Sequence, residues 1–205
     1  MEIRVAKSAG FCFGVSRAVS LAEEKAATGR VYTFGPIIHN EFEIQRLSSM
    51  GVIPVNDVNE IKKGDRVIIR SHGVPEKTEK ELAARGAEVF DATCPFVKKI
   101  HNIVSEYTEK GYTVVIFGNA GHPEVTGIAG RCRGAALTVA SEDEAMRISG
   151  ENEHICLVAQ TTANKEDYKK IIKIIKNTCK DTVFFDTICN ATDRKSTRLN
   201  SSHVR

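Results

Sequence analysis

The chain has 205 residues, 41% of them apolar and 27% charged, with a formal net charge of +3 at neutral pH. That balance belongs to a globular protein of one large or two small domains. The charge is too small to build a nucleic-acid-binding face, no run is long and apolar enough to span a bilayer, and the opening MEIRVAKSAGFCFG carries charges where a secretory signal is apolar. Neither membrane nor nucleic acid is an expected partner, and the expected compartment is the cytoplasm. Thiols stay reduced there, so the six cysteines read as metal ligands, reactive thiols or small core residues rather than as disulfides.

In chain order, β-rich runs fall at 3–6, 31–34, 66–70, 87–90, 113–117, 136–140, 154–159 and 182–185. Helical patterns fall at 15–28, 40–50, 76–85, 96–110, 142–148 and 164–178. The last is typical, with Ile171, Ile172, Ile174 and Ile175 forming an apolar stripe among lysines. Strands alternating with helices predict an α/β fold with mainly parallel sheets. The tail 195–205, KSTRLNSSHVR, has neither periodicity nor a strand run. It is expected to be disordered and resembles translated cloning or sequencing sequence.

Two echoes organise the chain. FDATC at 90–94 matches FDTIC at 185–189, and FGPIIHNE at 34–41 matches FGNAGHPE at 117–124. Each follows a β-rich run, and the two offsets are similar, which predicts two related α/β domains. The expected division is a leading strand and loop at 1–13, domains at 14–94 and 95–188, the start of a further unit at 189–194, then the tail. Ligands of open α/β sheets bind beyond the carboxyl ends of strands. Cys12, His39, His72, Cys94, His122, Glu124, Thr161 and Cys189 all fall at such places.

The chemistry of these residues is suggestive one by one. Cys12, Cys94 and Cys189 belong to no Cys-x-x-Cys pair, so zinc, an iron–sulfur cluster and plain core cysteines all remain open. As thiolates they would suit iron–sulfur chemistry, and three ligands would leave one iron of a four-iron cluster free. Cys156 lies inside the apolar run ICLVA, Cys132 between arginines and Cys179 among lysines, and these read as structural. His39, His72 and His122 could donate to phosphate oxygens or ligate a metal, whereas His101, His154 and His203 read as structural. Glu124 could move protons or simply open a helix after Pro123. Thr161 and Thr162 could hydrogen-bond to it or cap a helix.

Taken together and in order, AGFCFGVSRAV, GPIIHN, VIIRSHGV, DATCPFV, GHPEV, QTT and TICNAT resemble the successive motifs of the LytB (IspH) family of reductases, from residue 1 to about 194. The resemblance implies reductive removal of the hydroxyl of 4-hydroxy-3-methylbut-2-enyl diphosphate, giving isopentenyl and dimethylallyl diphosphate in the last step of the non-mevalonate pathway. It implies an oxygen-sensitive [4Fe-4S] cluster on Cys12, Cys94 and Cys189. It also implies a diphosphate held by His39, His72 and His122, protons fed by Glu124 with Thr161 orienting it, and Thr192 near the substrate. Reduced ferredoxin or flavodoxin would supply electrons. Family members continue into a third α/β domain, whose Ser-x-Asn loop and further serine also hold the diphosphate. Those residues have no counterpart here, so the chain as written is expected to be inactive. The rival readings of the same residues are a zinc-dependent hydrolase and a metal-stabilised phosphate-binding module.

Overall fold

A computed structural model describes residues 10–148, 154–189 and 191. The strand expected at 3–6, Thr192, His203 and the tail 195–205 lie outside the described residues.

The first half runs α1 (Phe13–Ala26), β1 (Val31–Phe34), α2 (Glu41–Ser49), β2 (Val52–Val55), β3 (Arg66–Ile69), α3 (Glu76–Ala84) and β4 (Glu88–Asp91), with one 3-10 turn at Val58–Glu60. The second runs α4 (Pro95–Glu109), β5 (Thr113–Phe117), α5 (Pro123–Ala129), β6 (Leu137–Val139), α6 (Glu142–Met146), β7 (His154–Ala159), α7 (Lys165–Thr178) and β8 (Asp181–Phe184). Each half closes its own four-stranded sheet, ordered β2-β1-β3-β4 and β6-β5-β7-β8. Every pairing is parallel. The two halves are thus one topology used twice, as the sequence echoes predict.

The central strands read as apolar runs because both faces are covered. Val114, Val115 and Ile116 are fully buried, as are Ile155 to Ala159. Helices cover them with residues at helical spacing: Ala18, Val19, Ala22 and Ala26 on α1, and Tyr168, Ile171 and Ile175 on α7. Asn40 and Asn164 start α2 and α7 by accepting backbone N–H groups at Glu43 and at Glu166 and Asp167. Asn164, not Thr161 or Thr162, is therefore the cap of α7. One strand escaped the sequence pattern, and one helix was legible only at its start. The strand β2 contains Pro54 and survives because it is an edge strand, and α5 is a seven-residue helix carrying Gly127.

Sequence order reverses between β1 and β3 and again between β5 and β7. These are the switch points where such sheets open a crevice. His39 and His72 follow the first pair, and His122 and Thr161 follow the second. The two crevices are joined by the Glu76 N–H donating to Gly130 O at 3.2 Å and by an Arg131–Glu79 ion pair.

The loop ends are pinned by side chains. Thr187 is buried and bridges Ala159, its hydroxyl accepting from the Ala159 N–H at 2.8 Å and donating to the Ala159 carbonyl at 2.7 Å. It extends the β7–β8 ladder with a side chain two residues before Cys189. Thr187→Val keeps the shape but strands a buried N–H, and should cost about 1–3 kcal/mol, read as a lowered urea midpoint at unchanged slope.

His101, on α4, is 4% exposed, and its Nε2 finds no hydrogen-bond partner among the described residues. It packs beneath the turn at Gly73, whose φ is +72° and where any Cβ would collide with its ring. Burial, with Arg131 adding to it, pushes the imidazole from 6.5 down to about 4. Between those values the unfolded chain binds a proton that the folded chain refuses, so stability falls as pH drops through this window. The loss from His101 at pH 5 is about 2 kcal/mol. His72 acts in the same sense, and Glu124, whose pKa is raised, in the opposite sense. His101→Gln should shrink the difference in unfolding free energy between pH 7 and pH 5 by about that 2 kcal/mol.

Candidate functional site

Cys12 and Cys94 occupy the residues just before α1 and α4, and neither side chain caps its helix. Both residues therefore stand at the positive ends of helices, whose dipoles favour a thiolate. Cys189 follows β8, its N–H donating to Thr161 O at 2.8 Å. Cys94 is held the same way, its N–H donating to Ser71 O at 2.9 Å. Ser71 in turn donates to Ile37 O at 3.0 Å. The FDATC and FDTIC echoes thus end in equivalent anchors, each tied to the loop beyond the neighbouring central strand.

All three cysteines line one cavity of about 240 Å³, together with His72, Glu124 and Thr161. Gly14 also lines it, and a Cβ there would fall 3.1 Å from Cys94 Cβ and into its sulfur, so a glycine lets α1 lie close against Cys94. Burial raises the Cys94 pKa, the Phe96 and Val97 N–H groups draw it back down, and Cys12 and Cys189 raise it again as neighbouring negative charges. The other cysteines are elsewhere. Cys156 sits in the core between the second sheet and α4, with Cys132 packed against that core. Burial pushes them up to about 12 and about 11, so they are inert thiols at neutral pH. Cys179 is buried in the core on the α7 side.

Beside the cysteines stand the three histidines. The His39 and His72 ring centroids are 4.5 Å apart, and each lies 5.5 Å from His122. Burial, reinforced by His39, His122 and Arg70, lowers His72 to about 3. Burial, His39 and Arg70 lower His122 as well. Both rings are neutral at pH 7. One nitrogen of each of the three lies within 4.8 Å of the others, a cluster that could receive a metal or an anion. His122 decides between them. Its Nδ1 accepts from the Glu124 N–H at 3.1 Å, so the neutral ring carries its hydrogen on Nε2 and offers a donor rather than a lone pair.

Glu124 is 2% exposed. One carboxylate oxygen accepts the Thr161 N–H at 2.6 Å and the other the Thr161 hydroxyl at 2.7 Å. Burial raises its pKa, and the Thr161 bonds only partly offset the rise. A buried carboxyl whose pKa is raised, at the wall of a cavity, can act as a general acid.

The sequence singled out Cys12, Cys94, Cys189, His39, His72, His122, Glu124 and Thr161, and the structure brings them together; Thr192 is outside the described residues. It passed over Gly14, Ser71 and Arg70. Ser71 and Arg70 lie inside the motif VIIRSHGV, and their position immediately before His72 was the available signal.

The model of the family described as LytB protein matches residues 3–203. The chain belongs to the LytB family. The match runs past Arg194, where the motif resemblance ends. Among curated LytB relatives, the chain is 46% identical over 95% of its length to a 4-hydroxy-3-methylbut-2-enyl diphosphate reductase from Thermoanaerobacter sp. strain X514, covering 69% of that protein. It is 47% identical over 94% of its length to one of the same name from Aquifex aeolicus, covering 68% of it. A solved structure of (E)-4-hydroxy-3-methyl-but-2-enyl diphosphate reductase superposes with a TM-score of 0.83 at 44% identity, covering 97% of this chain and 72% of that one. The Plasmodium falciparum reductase structure gives 0.86 at 27% identity, covering 95% of this chain and 63% of that one. No helix among the described residues is long and apolar enough to cross a membrane.

Proposed function

We propose that this LytB protein carries the catalytic residues of a 4-hydroxy-3-methylbut-2-enyl diphosphate reductase. The observation that carries the reading is the convergence of three thiols, three imidazoles and one buried carboxyl on adjoining walls of one crevice. The names of the relatives supply the substrate.

Cys12, Cys94 and Cys189 would hold a [4Fe-4S] cluster. The fit rests on the donor set: three soft sulfurs from three separate loops lining one cavity, two of them at helix N-termini, with no side chain on Gly14 to intrude. When bound, such a group supplies single electrons and an open iron able to accept an oxygen ligand. His39, His72 and His122 hold the diphosphate by N–H donation, with Nε2 of His122 fixed as a donor by the bond at its Nδ1. Glu124 holds one of the two protons the reduction consumes, the one the departing hydroxyl needs to leave as water, and Thr161 fixes both its oxygens. The other proton, taken up at carbon with the electron pair, comes from the substrate diphosphate. Val15, Phe96 and Val97 line the same cavity and limit water around the reacting carbon. Reduced ferredoxin or flavodoxin is the class of donor proposed for the two electrons.

The test is anaerobic reconstitution with iron and sulfide, then with zinc alone, followed by metal and sulfide analysis. Roughly four irons and four sulfides per chain, the stoichiometry of a cubane cluster, support the reading. Tight zinc binding with no iron–sulfur uptake would replace it with the zinc hydrolase.

A further inference from the structure

Arg70 stands two residues before His72, and its side chain lies partly buried between the loops that present His39 and His72. On one side it rests against Gly35, four residues before His39. Gly35 has φ +72°, and a Cβ there would lie 3.1 Å from Arg70 Cζ and 3.2 Å from Cδ, with Nη1 closer still. On the other side its Nε makes a long contact, 3.5 Å, with Gly73 O, immediately after His72. No carboxylate among the described residues pairs with it, whereas Arg46 and Arg131 are both ion-paired. Burial therefore acts on its charge uncompensated and lowers its pKa. Its field reaches both His72 and His122.

A guanidinium is charged at every accessible pH and is matched to phosphate oxygens. Three imidazoles packed this closely repel a second and third proton. A diphosphate carries several negative charges, and neutral N–H donors alone do not balance them. We propose that Arg70 is the fixed cation of the anion site, a specificity-determining residue that supplies, from between the His39 and His72 loops, the positive charge by which the site selects a diphosphate. The proposal rests on the diphosphate reading above and adds the charge that reading lacks. It also accounts for Gly35, which leaves room for the guanidinium at the base of the His39 loop.

The experiment measures inorganic diphosphate binding by calorimetry to the full chain reconstituted with iron and sulfide. Arg70→Met keeps the aliphatic stem against Gly35, Arg70→Lys keeps the charge, and His122→Ala removes a direct donor. Arg70→Met should bind diphosphate roughly tenfold more weakly or worse, the size of one charge-assisted hydrogen bond. Arg70→Lys should recover most of that affinity, and the His122 ring should titrate at higher pH in Arg70→Met, followed by NMR. A purely structural role would weaken binding without the lysine rescue and without the change in His122, and would overturn the proposal. If Arg70→Met binds normally while His122→Ala does not, the arginine proposal fails and the diphosphate reading stands. If the unsubstituted protein binds no diphosphate, both fall.

Discussion

Replacing Cys94 with serine should strip the reconstituted protein of most of its iron and of its broad visible absorption. Serine keeps the size of the side chain and the main-chain bond from residue 94 to Ser71 O, so the loop should hold its place. What changes is the donor: a hard hydroxyl, protonated at neutral pH, replaces a soft thiolate. Losing a direct ligand should weaken the site by more than the roughly 10–100-fold that loss of an outer-shell partner costs. Cys12→Ser and Cys189→Ser should behave alike, since all three sulfurs line the same cavity. Cys132→Ala and Cys156→Ala are the controls. Those thiols belong to the core beside α4 and have pKa values pushed up by burial, so these variants should lose some stability and keep their iron. Iron retained in Cys94→Ser, or lost in Cys132→Ala, would reassign the ligands.

The contrast between those two groups of cysteines shows how the site could be read from sequence. Cys94 and Cys189 follow the strands β4 and β8, and Cys12 immediately precedes α1. Cys156 sits within an apolar strand run. Topology follows from the same logic. Two echoes of similar offset pointed to two units of one fold, and both sheets do have the same strand order. The edge strand β2 stayed hidden because Pro54 interrupts a pattern that needs no N–H on the free side. Helix α5 was legible only at its start, where Pro123 and Glu124 open it, because β-branched residues and a glycine mask the rest of its seven residues. Less legible was the environment. No residue pattern shows that His72 and His122 are neutral, because that depends on burial and on charges from other loops. The sequence reading offered the histidines as donors to phosphate oxygens or as metal ligands without fixing their charge, and the packing leaves His72 and His122 neutral. Arg70 went unnoticed for the same reason, since the absence of a carboxylate partner for it among the described residues is visible only in three dimensions.

In a complete version of this enzyme, Glu124→Gln should slow reduction by roughly a hundred- to ten-thousand-fold, the usual contribution of a positioned acid, with iron content and diphosphate binding unchanged. The amide can be accommodated. Its oxygen can accept the Thr161 N–H in place of the carboxylate oxygen now at 2.6 Å. Its NH2 can donate to the Thr161 hydroxyl, which at present donates to the carboxylate at 2.7 Å. The His122 ring keeps its bond to the residue 124 main chain, so the anion site should not move. Only the transferable proton is lost. Two pH readouts separate this from a structural effect. Burial raises the Glu124 pKa, so the unsubstituted protein should lose rate as pH rises through that raised value, and Glu124→Gln should lack that limb. Stability moves in the matching sense. A carboxyl whose folded pKa is raised favours the folded state most below its ordinary value of 4.5, and that advantage disappears as pH rises through the folded value. Above that value the folded protein carries a buried charge, which the glutamine removes, so Glu124→Gln should be at least as stable as the parent in alkaline solution. Near-normal turnover in Glu124→Gln would move the proton source to His122 or to the substrate diphosphate, and would leave Glu124 as the residue that fixes the His122 tautomer through its main chain.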